Sequence, residues 1–72
     1  MAKRISGTYG KFEYWVEVDD DVEITDELEI AIEDGAVDRI SYIASEGYLS
    51  GELNGCYCDN DDNEIEYSGW VV

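Results

Sequence analysis

From Phe12 onward this chain carries one cation, Arg39, against all 19 of its acidic residues, a balance of -18 over 61 residues. Burying an unpaired carboxylate is prohibitively costly, and so few cations can supply few partners. Nearly every Asp and Glu must therefore face water, counterions or a cationic partner. Any fold open to the chain has to turn these acids outward and build its core from the residues between them. The whole chain has 72 residues, four Lys+Arg and a formal net charge of -15. One domain over residues 1–72, with one modest core, is all it can supply. Its hydrophobic fraction of 44% includes two Trp, six Tyr and one Phe, which sets it apart from chains too polar to fold. Self-repulsion is expected to strain that fold at low salt.

Period-two patterning marks the strands. In residues 11–18 (KFEYWVEV), Phe12, Tyr14, Val16 and Val18 share one face, and Glu13, Trp15 and Glu17 share the other. Residues 65–72 (IEYSGWVV) divide in the same way, with Ile65, Tyr67 and Val71 opposite Glu66, Ser68 and Trp70. Residues 48–53 set Leu49 and Leu53 against Tyr48 and Glu52. The middle of the chain has two readings. Residues 25–35 (TDELEIAIEDG) read as a helix with Thr25 or Asp26 as N-cap, acids in the first turn and Gly35 as the stop. A second helix, 36–46, would then end at Gly47. The rival reading is a hairpin through Asp34-Gly35, which makes the chain an all-β meander. The helical reading accounts for the cap, the first-turn acids and both glycines. It predicts an α+β fold of order β-α-α-β-β, a three-stranded antiparallel sheet with two short helices on one face.

Two candidate surfaces follow. Asp19, Asp20, Asp21, Glu23, Asp26, Glu27, Glu29, Glu33 and Asp34 place nine acids in sixteen residues. If Phe12, Tyr14, Leu49, Ile65 and Tyr67 face the helices, the other side of the sheet collects Glu13, Glu17, Glu52 and Glu66 with Trp15, Trp70 and Tyr48. Acid runs are usually solvated faces, and half-exposed sheets are ordinarily polar outside. The net charge nevertheless exceeds the magnitude of roughly 2–8 that keeps a small domain in solution, so a use for the surplus is expected.

Most chemistry is disfavoured. Among 19 acids some pair stands at a general acid–base separation by chance, and the chain offers little volume for a cleft. No catalytic residue and no cofactor is expected, and with no His the usual neutral-pH base is missing. Asp59, Asp61 and Asn63 match alternate ligand positions of a calcium loop, but Glu64 and Trp70 stand where its glycine and bidentate glutamate belong. An exposed hairpin turn accounts for the same residues. Cys56 and Cys58 supply only two of the four ligands of a structural zinc site. They are better explained as flanking an aromatic in a hairpin after an Asn54-Gly55 turn, and their spacing would strain a mutual disulfide. Direct nucleic-acid binding needs phosphate neutralisation that four cations cannot provide. No stretch approaches the ~20 apolar residues of a membrane span, and the first residues lack the apolar core of a signal peptide. A soluble, cytoplasmic monomer or small homo-oligomer is expected.

In compactness, acid-dense segment 19–34, aromatic-rich strands and scarcity of cations, the chain resembles the small phage-type DNA-mimic inhibitors, the anti-CRISPR and anti-restriction proteins. The resemblance is one of size, charge and composition over the whole chain. It implies carboxylates on a rigid scaffold that imitate duplex phosphates and block the cationic groove of a nucleic-acid-binding protein or complex. An acidic domain that binds a basic protein without mimicking DNA, or a weak calcium-binding module, is the alternative.

Overall fold

A computed structural model of the chain describes residues 2–72. Five elements follow one another: β1 (Ala2–Tyr9), β2 (Phe12–Asp19), α1 (Asp26–Ser45), β3 (Gly51–Cys58) and β4 (Glu64–Val71). The strands form one sheet of order β1-β2-β4-β3 in which every neighbouring pair is antiparallel. Helix α1 leaves the end of β2, covers one face of the sheet and delivers the chain to its far edge. Strand β4 then returns between β3 and β2.

This architecture corrects both the three-stranded, two-helix expectation and the all-β alternative. Residues 2–9 add a fourth strand, paired with β2 along its whole length from Ala2–Asp19 to Tyr9–Phe12. Gly35 does not end a helix, and α1 runs through it for 20 residues. The glycine is there for space, since a Cβ would stand 2.5 Å from the Tyr67 hydroxyl. The stop is Gly47, whose φ of +79° suits a residue without Cβ. Its N–H donates to the Ala44 carbonyl at 3.1 Å, and that of Tyr48 to Ile43 at 3.0 Å, the paired bonds of a Schellman ending. At the other end Thr25 Oγ1 accepts from the Leu28 N–H at 3.2 Å, satisfying one of the free donors of the first turn.

The core lies between α1 and the sheet. Leu28, Ile32, Ala36, Ile40 and Ile43 form the buried helix stripe and meet Phe12, Tyr14, Val16, Val18, Leu53, Tyr67 and Val71. Ile30, off the stripe, is exposed. Leu49, expected inside, is 82% exposed, because β3 begins only at Gly51 and the loop holds Leu49 away from the sheet. The Asn54-Gly55 pair, expected as a turn, lies within β3 with Gly55 opposite Tyr67. A Cβ on Gly55 would run into that phenol ring, as one on Gly7 would meet the ring of its partner Tyr14. Each edge strand thus yields room to a central-strand tyrosine that covers its glycine. Among the described residues no charged side chain is buried, as the charge imbalance requires. None of their helices is long and apolar enough to cross a membrane.

Candidate functional site

The strand directions and the helix direction together decide where the acids collect. Strand β2 ends, β3 ends, β4 begins and α1 begins at the same end of the molecule. Between β2 and α1, Val22 and Ile24 pack against the core while Asp21 and Glu23 stay exposed. Lys3 ties this segment to the sheet edge, its Nζ donating to the Val22 carbonyl at 2.7 Å. The first turn of α1 adds Asp26, Glu27 and Glu29, where the helix dipole favours negative charge. Glu33 and Asp34 continue along the exposed side of α1.

The β3–β4 turn supplies the rest. One Asp59 carboxylate oxygen accepts from the N–H groups of Asp61 and Asn63, both at 2.9 Å. The other oxygen accepts from Asn63 Nδ2 at 3.4 Å. These bonds, led by that from the Asn63 backbone, hold the Asp59 carboxyl below its usual range. The side chain expected as first ligand of a calcium loop is thus the keystone of its own turn. Among the described residues no group of three or more acids or thiols is arranged to hold a metal ion.

Where these segments meet, Asp19, Asp21, Glu23, Asp59, Asp61 and Glu64 surround a depression of about 530 Å³ floored by Val22, Tyr57 and Ile65. A second depression of about 690 Å³ adjoins it, lined by Glu17, Asp19, Glu64, Glu66 and Cys56. It opens where β2 and β4 part, since their paired register runs only from Tyr14–Val71 to Glu17–Ser68. The two share Asp19 and Glu64, and no basic residue lines either.

Comparison of the chain with protein-family models, with curated proteins and with solved structures gave no match.

Beyond the second depression lies the uncovered face of the sheet. One cross-strand row reads Ser6, Trp15, Trp70, Glu52, and the next reads Arg4, Glu17, Ser68, Asn54. The Arg4 guanidinium lies 4.2 Å from the centre of the Trp15 ring. Five of the six acids and tryptophans expected here adjoin one another: Glu17, Glu52 and Glu66 with both tryptophans. Glu13 lies at the rim of the same face, bonded through its backbone to Val72. Tyr48 does not belong to it and sits in the loop before β3. The two acid surfaces read separately from the sequence are joined through Asp19, the last residue of β2. Sequence reasoning missed Asp59, Asp61 and Glu64 as part of this surface, and also Cys56 and Cys58. Both cysteines are free and exposed, opposite Glu66 and Glu64 in register, and they flank Tyr57 in the β3–β4 hairpin, with no turn at Asn54-Gly55 before them. Their signal was the alternation of residues 51–58, hidden by the Asn-Gly pair.

Proposed function

We propose that this protein is an acidic, DNA-mimicking inhibitor that occupies the cationic nucleic-acid-binding surface of a host defence complex, such as a CRISPR–Cas effector or a nuclease. The observation that carries the reading is the joining of carboxylates from the β2–α1 segment, the first helical turn and the β3–β4 turn into one surface at one end, continuous with the open sheet face. The opposite end, with the β1–β2 turn, the helix C-terminus and the loop before β3, holds far fewer acids. Charge serving only hydration has no reason to be polarised in this way.

Charge density and the internal partners of the cations support the reading. A net charge of -15 along a longest dimension of 38 Å is about 2.5 Å per charge, against about 1.7 Å in duplex DNA. All four cations are exposed, and each has a partner within the chain. Lys3 binds a carbonyl, Arg4 and Lys11 lie over Trp15 and Phe12, and Arg39 donates to the Glu52 carbonyl at 2.8 Å beside the Tyr42 ring. Such a surface attracts Arg- and Lys-lined grooves at long range and repels nucleic acid and anionic lipid.

The test is displacement of a labelled DNA duplex from purified CRISPR–Cas effectors and restriction nucleases, followed by fluorescence anisotropy. The expected result is displacement from at least one of them at 50 mM NaCl, weakening about tenfold or more by 200 mM. Displacement indifferent to salt, or none from any of them at 50 mM, overturns the reading.

A further inference from the structure

The two tryptophans of the open face are register partners on the central strands, yet they differ in what they carry. Trp15 is half-buried and has the Arg4 guanidinium over its ring, with Glu17 as the register partner of that arginine. Trp70 is 45% exposed and has Glu52 as its register partner on β3. Among the described residues no cation stacks on it. Between the rings and the carboxylates of Glu17 and Glu52 lies a shallow depression of about 220 Å³. Asn54 Nδ2 donates to Glu52 Oε2 at 3.4 Å and keeps that carboxylate on the rim.

The geometry points to Trp70, flanked by Glu52 and Glu17, as the receiving site for an arginine side chain of the cationic partner, its guanidinium stacked on the indole as Arg4 stacks on Trp15. This rests on the charge-driven docking proposed above and names the chemistry of one contact in it. The depression is smaller than the roughly 300 Å³ at which small-molecule pockets begin, and it suits the end of a single side chain. Arginine fits better than lysine because its guanidinium is planar, weakly hydrated and able to meet a carboxylate with two parallel N–H groups while its face lies on a ring. A lysine ammonium keeps its water and gains little from the indole.

Hepta-arginine and hepta-lysine, equal in side-chain charge, test this by calorimetric titration into the full chain at 50 mM NaCl. Hepta-arginine should bind about two- to fivefold more tightly, the range of an exposed cation–π contact. Trp70→Leu should abolish that preference and leave hepta-lysine affinity unchanged, and Glu52→Gln should reduce it. In the unaltered protein the Trp70 indole N–H resonance should move further with hepta-arginine than that of Trp15, a readout independent of how well the variants fold. Equal affinities, or a preference that survives Trp70→Leu, overturn the arginine site and leave acidic docking standing. Failure of both peptides to bind overturns both.

Discussion

The two faces of the sheet are made by the same four strands and serve opposite ends. The covered face is a fitted apolar layer in which Tyr14 and Tyr67 fill the space left by Gly7, Gly55 and Gly35. The open face carries Trp15, Trp70, Glu17, Glu52 and Glu66 and runs on into the acidic end. Alternation along β2, β3 and β4 separates the two. Stability therefore belongs to one set of residues and the proposed recognition to the other, and charge can accumulate on the second without entering the first. The difference between the faces gives the chain its tolerance of so large a negative charge.

The sharpest way to break the covered face is Gly69→Val. Gly69 lies opposite Val16, and a Cβ there would run into the backbone carbonyl of Trp15, so β2 and β4 could not pair. Overpacking a core costs typically 1–3 kcal/mol and more where backbone must move. For a domain this small the expected outcome is a chain that gives no cooperative melting transition by circular dichroism.

A smaller effect sharpens the fit of Tyr67 against Gly35. Gly35→Ala alone should gain nothing, because the helix-propensity advantage of alanine is opposed by the phenol oxygen 2.5 Å from the new Cβ. With Tyr67→Phe also present, the nearest atom becomes the ring carbon at 3.7 Å, an ordinary contact, and the same change should stabilise by up to about 1 kcal/mol. Urea unfolding of the four proteins of this cycle measures it. Tyr67→Phe has a second consequence at high pH. Burial, and secondarily the charge of Cys56, raises the Tyr67 phenol above its ordinary value of 10.0, and burial with Glu33 does the same for Tyr14. The unfolded chain therefore loses these protons first. Stability that is complete below pH 10 declines as the pH rises through the higher folded values. Melting temperatures between pH 8 and 11 should fall less steeply for Tyr67→Phe than for the unaltered protein.

Local pattern revealed the elements whose decisive signal is local. The alternation of residues 12–18 and the Thr25 cap with its acidic first turn correspond to β2 and to the start of α1. Strand β1 was illegible because AKRISGTY offers little apolar alternation. Its place comes from the hairpin with β2, whose sequence sign was a glycine opening the two-residue turn Gly10-Lys11. Gly35 and Gly55 misled for a different reason. Each looks like punctuation, and each is a vacancy for Tyr67, a residue far away in the chain. Of the proposed binding surface, the acid run and the alternating faces were visible residue by residue. Their union was not, because it depends on β4 lying between β2 and β3 and so bringing residues 59–64 beside residues 19–23.

The central claim is that position, and not only quantity, of charge makes this protein a ligand for cationic grooves. Two charge reversals with the same net charge test it. Asp21→Lys with Glu64→Lys alters the acidic end, and Asp38→Lys with Glu46→Lys alters the exposed side of the helix and its C-terminal end. All four side chains are exposed, so both variants should melt at or above the temperature of the unaltered protein. In DNA displacement at 50 mM NaCl, the first pair should raise the half-displacing concentration about tenfold or more, and the second less than about threefold. Equal losses from the two pairs would contradict the account, since they would show that the acidic end is charged but is not the surface that binds.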